Sequence, residues 1–243
     1  MAGELERRVE VAEVVGRLSD GDLDGRERGR LLARLARLIT GGVRTAGAKA
    51  AVSGRYLAEV VTELAPSVVV RDLPTLRAAY GGLSGDELAD ALVKQAARAT
   101  AGVGAAGGAL AAAQHAAPPS LVLAPVQLAA ETVAVVVTEL KLVAELHVAY
   151  GRAPVAPGPE LAAAYLHAWA TRTPADPAGE VPDLGTVLGA AARMQLRRRV
   201  ARRLARNVST MAPFLTGALA GAELNRRETR SLGDQLRTAL RRR

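Results

Sequence analysis
The chain has 243 residues and a formal charge of +8, enough length for one large domain or for a domain with a helical appendage. It contains no cysteine, which excludes disulfides, thiolate metal sites and cysteine nucleophiles and permits a reducing compartment. Aromatic residues make up only 2% of it, so the core must be built mainly from Leu, Val and Ala, whose small side chains favour closely approaching helices.

The charge is unevenly placed. From Arg193 to Arg243 there are 14 Arg against Glu223, Glu228 and Asp234, or +11, which leaves −3 for the first 192 residues. Such asymmetry points to an anionic partner for the C-terminal part, a lipid surface or a nucleic acid. Arg outnumbers Lys 29 to 3 in a chain rich in Ala, Gly and Val, so part of this charge reflects coding bias and serves solubility alone. Residues Met1 to Glu6 are acidic and lack an apolar run, which argues against a secretory signal and makes the cytoplasm the expected location.

In chain order, a first helix is predicted from about Glu4 to Leu18, broken by the turn-forming residues Ser19 to Gly25. A second carries Leu31, Leu32, Leu35, Leu38 and Ile39 at helical spacing and weakens at Gly41-Gly42. A third covers Ala48 to Leu64 and closes before Pro66. Val68 to Val70 reads as extended, and Pro74 opens a short helical piece ending at Gly81-Gly82. Ser84-Gly85-Asp86-Glu87 resembles a capping box and starts a segment running to Gln114, with a break at Pro118-Pro119. The most apolar helix follows from Pro125 to Tyr150, ended by Gly151 as a C′ glycine. Beyond the linker of residues 153–159 lie a short helix from Glu160 to Thr171 and a second linker, Thr173 to Pro182. Two or three helices complete the chain, over Leu184–Val208, Pro213–Glu223 and Arg227–Leu240. The fold class expected is all-α, a multi-helix bundle around a long Ala/Gly-rich apolar hairpin, with residues 1–80 as an N-terminal helical region and 81–243 as a second domain.

Between Ala99 and Ala130 there is no Asp, Glu, Lys or Arg, and only His115. The prolines at 118, 119 and 125 interrupt any continuous membrane span, so a hairpin buried in a soluble two-layer helical domain is preferred to a membrane-dipping one. Gly104 and Gly108 form a G-x-x-x-G pair that permits backbone approach in either setting. Val133, Val136, Leu140 and Val143 are expected to be buried.

On a wheel of about 100° per residue, Gln127, Glu131, Thr138 and Glu145 fall within about 40° of one another, with Lys141 beside them. Buried carboxylates need partners, and Lys141 at i,i+4 from Glu145, or an Arg from another helix, is the expected one. An interhelical ion-pair seam is the plainer reading. The functional one makes Gln127, Glu131, Glu145 and His147 line a ligand site, with a carboxylate as general base. No catalytic residue is assigned, and no cofactor or metal is expected. Glu145 and His147 point apart, and His115, His147 and His167 have no ligand spacing. Asp20-x-Asp22-x-Asp24-Gly25 opens like a calcium loop, but its twelfth position is Leu31, so it reads as a turn and an N-cap. Phosphate-loop, nucleophile-elbow and dinucleotide fingerprints are absent.

From Arg193 to Val208 the wheel places Arg198, Arg199, Arg202, Arg203 and Arg206 across an arc of about 140°, opposite Leu196, Val200, Leu204 and Val208. This basic amphipathic helix suits an anionic leaflet, where each Arg contributes up to about 1 kcal/mol. The same apolar arc, lacking Trp and Phe, also suits packing on the protein's own core.

The order of these features resembles the EcsC family, bacterial proteins named for an ABC-transporter operon and without an agreed molecular activity. The resemblance is carried by Ala99 to Gly108, by the Pro-interrupted Ala116 to Gln127, and by Glu139 to His147 leading to Tyr150-Gly151. In the tail it is carried by Pro213, Gly217 and Gly221, then Asn225, Thr229 and Gly233. It covers about Leu83 to the C-terminus and implies a helical, membrane-associated or transport-linked role with a membrane-protein or transporter partner, supplying no catalytic residues. Three functions follow in order of preference. The first is a non-enzymatic protein peripheral on the inner face of the cell membrane. The second is an enzyme or apolar-ligand binder using the polar seam. Nucleic-acid binding by the basic tail comes last, because Tyr56, Tyr80, Tyr150, Tyr165, Trp169 and Phe214 do not interleave with the Arg run. The oligomeric state is not readable from the sequence.

Overall fold
The computed structural model describes residues 2–19, 22–43, 54–115, 124–156, 158–175, 190–209 and 216–242, and every regular element among them is helical. The helices are α1 (Ala2–Leu18), α2 (Gly25–Val43), α3 (Gly54–Leu64), α4 (Leu73–Ala79), α5 (Gly85–His115), α6 (Ala124–Ala149), α7 (Gly158–Thr171), α8 (Ala190–Ser209) and α9 (Thr216–Arg241), with a 3-10 turn at Ala65–Ser67. The protein is thus an all-α multi-helix bundle.

Its organising element is α6. A helix hydrophobic all round must be covered all round, and α6 packs against each of the other described helices. Val133, Val136 and Val143 have no exposed surface and Leu140 retains 2%, as expected. The core cluster runs without interruption from Val14, Leu32 and Leu57 through Leu140 and Leu146 to Leu232 and Leu236, so residues before and after position 80 share it. No helix among the described residues is long and apolar enough to cross a membrane.

Several ends form where the local chemistry demands. Asp24 caps α2, its Oδ1 accepting from Glu27 N at 2.7 Å, as the N-cap reading requires. Residues 20 and 21 of that turn, and residues 44–53 and 116–123 with their prolines, lie outside the described residues. Gly151 takes φ +65° after α6. There its N–H reaches Val148 O at 3.0 Å and Arg152 N–H reaches His147 O at 2.8 Å, the two bonds of a Schellman motif. Arg172 occupies the left-handed position after α7 with φ 60°, where no β-carbon penalty would fall on glycine. Among the described residues beyond α7, Pro213–Glu223 and Arg227–Leu240 do not form separate helices: α9 runs through Leu224-Asn225-Arg226, which contains neither Gly nor Pro to stop it.

Among the described helices the most extensive contact is that of α5 with α9, which run antiparallel and meet through small residues. A β-carbon on Gly104 would stand 2.6 Å from the Gly221 carbonyl carbon, and one on Gly233 would stand 2.5 Å from a Val93 methyl. Between these points Thr100 and Thr229 bond hydroxyl to hydroxyl at 2.9 Å. Gly104 of the G-x-x-x-G pair thus meets Gly221, and Gly108 meets Ala218. The ladder 221, 225, 229, 233 follows the i,i+4 row of α9, the row along which one helix seats in its neighbour.

Candidate functional site
The seam residues of α6 are all buried, yet they do not form one site. Eighteen residues separate Gln127 from Glu145, about 27 Å along a helix axis, so the two ends of the stripe meet different neighbours. At the first end, Gln127 Nε2 donates to Gly107 O at 2.7 Å, and Glu131 lies against the α-carbon of the same glycine. Asn225 Nδ2 sits over Gly104 and beside the Glu131 carboxyl. Burial pushes the Glu131 carboxyl up to about 8, against the smaller opposing pull of Arg203 and Asn225. Glu131 is therefore a neutral acid near pH 7.

At the other end, Thr138 bonds Ala134 O at 2.8 Å and Ser19 Oγ at 3.1 Å. The partner of Glu145 is Arg71, with Nε to Oε1 at 2.7 Å and Nη2 to Oε2 at 2.9 Å. Lys141, expected in that role, instead lines a cavity of about 160 Å³ together with Ser19, Arg71, Thr138 and Glu145. The reason is geometric. Arg71, between the 3-10 turn and α4, offers a planar fork that takes both carboxylate oxygens at once, which an ammonium cannot.

His147 is a core histidine. It is fully buried, its Nδ1 donates to Val143 O at 2.7 Å, and its Nε2 accepts from Ala175 N at 2.9 Å. Burial lowers its pKa, so the ring is neutral and pins the chain just beyond α7. Glu145 and His147 point to different neighbours, and no group of three His, Asp or Glu among the described residues can hold a metal ion.

The arginine face of α8 is divided in the same way. Leu196, Val200 and Leu204 are buried as the wheel requires, but so are Arg199 and Arg203, with 9% and 7% of their surface exposed. Of the four whose side chains are described, Arg198 and Arg202 stand in solvent, beside Arg197; the Arg206 and Val208 side chains lie outside the described residues. Because α8 inserts between α3, α6 and α7, its buried arc is wider than its apolar arc.

What draws the two arginines inward is Glu139, the charged residue that the wheel left off the seam. It has no exposed surface. Its Oε1 accepts from Arg203 Nη1 at 2.8 Å and from Thr229 Oγ1 at 2.9 Å, and its Oε2 accepts from Trp169 Nε1 at 2.9 Å. Burial pushes this carboxyl up, but Arg203 and Arg199, with the Trp169 and Thr229 hydrogen bonds, outweigh burial and hold it below the usual range. Arg203 also reaches Asn225 Oδ1 at 3.4 Å, and the Arg199 guanidinium stacks 4.3 Å from the Trp169 ring centroid. Four helices thus converge on one buried carboxylate: α6, α7, α8 and α9.

Directly outside this centre a cleft of about 360 Å³ is lined by Thr171, Arg172, Arg199, Arg202, Arg203 and Glu228. Sequence reasoning missed it. The legible signals were the only Trp of the chain, a carboxylate at Glu139 that falls off the polar seam of the apolar helix, and the Asn225-Thr229 ladder. No family model, no curated protein and no solved structure matches the chain.

Proposed function
We propose that the protein is a non-enzymatic helical module that associates peripherally with the anionic inner face of the cell membrane, in an EcsC-like, transport-linked role. The observation that carries this reading is the outer face of α8. That helix contains no acidic residue, and Arg197, Arg198 and Arg202 stand exposed on it beside Met194, which is 50% exposed. Three such arginines contribute about 3 kcal/mol near an anionic leaflet. That is reversible, salt-sensitive attachment, weaker than five outward arginines would give.

Flotation with phosphatidylglycerol vesicles tests it. Binding is expected at low ionic strength, falling away as salt shortens the screening length, and lost in the double variant Arg197→Glu/Arg198→Glu. No flotation of the wild-type chain at low salt would end the proposal. The seam reading receives less support, because Gln127 and Glu145 are engaged by Gly107 and Arg71 and the intervening residues face different helices.

A further inference from the structure
The cleft outside the Glu139 centre is built mostly from guanidinium groups, and their charges do not balance. Arg203 is paired with Glu139 at 2.8 Å, and Arg172 with Glu228 at 3.2 Å. Arg199 and Arg202 line the same cleft and make no ion pair with a described carboxylate. Arg199 is more than nine-tenths buried, and its Nη1 has no hydrogen-bond partner; neither has the buried Nε of Arg203. A buried charged donor without a partner is costly to a fold unless something else meets it. Burial lowers the Arg199 pKa to about 10, and the neighbouring charges of Arg172 and Arg203 add to that effect while Glu139 and, more weakly, Glu228 oppose it. The C-terminus of α7 contributes only about half an elementary negative charge here, which leaves the cleft cationic.

We infer that this cleft is a binding site for a phosphate group carried on a small organic ligand or lipid headgroup, held between Arg199, Arg202 and Arg172. Two guanidinium groups without carboxylate partners match the charge of a phosphomonoester and can each present a two-pronged donor to its oxygens. The cleft volume of about 360 Å³ falls in the range of small-molecule sites, about 300–1,000 Å³, so an organic group is accommodated beside the phosphate. Glu228, tied to Arg172, sets one wall and disfavours ligands with several spread negative charges. The Trp169 indole holds the Arg199 guanidinium from one side and so pre-orients it, which lowers the ordering cost of binding. This site shares Arg202 with the outer face of α8, but Arg197 and Arg198 do not line it.

Calorimetric titration of the full chain with phenyl phosphate and with inorganic phosphate, at constant ionic strength in chloride, tests the assignment. One saturable site per chain is expected, weakened at least tenfold by Arg202→Gln and more by Arg199→Gln, and changed less than twofold by Arg197→Gln. Arg199 stacks on the core, so the exposed Arg202 keeps the test clear of misfolding. A parallel flotation with phosphatidic-acid vesicles separates the sources. Retention that inorganic phosphate competes away and Arg199→Gln weakens assigns a lipid headgroup, because Arg202 also stands on the outer face of α8. Binding of phenyl phosphate without such competition assigns a free ligand. Absence of saturable binding to every probe, or affinity unchanged in both Arg199→Gln and Arg202→Gln, overturns the site. Loss of vesicle binding in Arg197→Glu/Arg198→Glu with phenyl phosphate binding intact would separate the two proposals.

Discussion

Glu131 and Glu139 sit on one helix, two turns apart, and both are buried. Their chemistry is opposite. Glu131 faces Gly107, with an amide near it and no arginine among the described residues in an ion pair with it, and its carboxyl is pushed up to about 8. Glu139 receives one guanidinium, one indole N–H and one hydroxyl, and is held ionised. Equal burial with unequal partners gives a neutral acid in one place and a buried anion in the other. The donors decide the charge state, and burial decides only how much they matter.

Removing the guanidinium should break this contrast most severely. In Arg203→Ala, Glu139 keeps two neutral donors but loses its bonded cation, and loss of one partner of a buried pair costs about 3–5 kcal/mol. Urea denaturation at pH 7 measures it. A loss below about 1 kcal/mol would mean that Arg199 alone compensates the carboxylate. The double variant Glu139→Leu/Arg203→Met should regain much of the loss, because an apolar pair leaves no uncompensated charge.

The neutral acid is tested by pH. Unfolded Glu131 titrates near 4.5 and folded Glu131 near 8, so between those values the folded chain holds a proton that the unfolded chain has released. Its contribution to stability is complete below about 4.5, falls by about 1.4 kcal/mol per pH unit through that window, and is flat above about 8. Over pH 5 to 7 the wild type should therefore lose nearly 3 kcal/mol, by this estimate, that Glu131→Gln keeps. Parallel slopes for the two proteins would place the folded pKa near its unperturbed value. Glu139 acts in the opposite sense: its contribution is present above about 4.5 and is lost as pH falls below that value.

Gly104→Ala acts on the helix pair that encloses Glu131 without touching the Glu139 donors. Its new methyl would stand 2.6 Å from Gly221 backbone atoms, which no rotamer change can relieve. Overpacking of this kind costs about 1–3 kcal/mol, partly offset by the gain in helix propensity of up to about 1 kcal/mol. Thermal denaturation should show a net loss. An unchanged or raised Tm would mean that α5 and α9 are free to separate there.

Much of this architecture was legible from residue pattern. The α6 span, its Gly151 stop, the Asp24 cap and the burial of Val133 to Val143 all follow from local rules that need no knowledge of neighbours. The burial of Gln127, Glu131, Thr138 and Glu145 was legible too. Their partners were not, because a helical wheel has no axial coordinate and merges residues about 27 Å apart. Glu139 escaped for a related reason: it lies about 80° round the helix from Glu131, and its donors come from positions 169, 203 and 229. The run of arginines in α8 looked like a solvated arc for the same cause. Whether Arg199 and Arg203 face water or a carboxylate depends on a residue some sixty positions earlier.

Thr229→Val is the mildest and sharpest comparison. It preserves side-chain shape while removing the hydroxyl that donates to Glu139 Oε1 at 2.9 Å. Thr100, which shares that hydroxyl at 2.9 Å, keeps Ala97 O at 3.2 Å as an acceptor, so the change falls mainly on the carboxylate. A hydrogen bond to a charged group is worth about 1.5 kcal/mol or somewhat more, and that is the stability loss expected at pH 7. The loss should shrink in acid. As Glu139 takes up a proton it needs fewer donors, so wild type and Thr229→Val should converge as pH falls through the acid limb, whereas Glu131, neutral throughout that range, is indifferent to the change. A loss that stays constant through the whole acid limb, past the point at which Glu139 is protonated, would show the hydroxyl serving Thr100 and the α5–α9 contact, with Glu139 held by Arg203 and Trp169 alone.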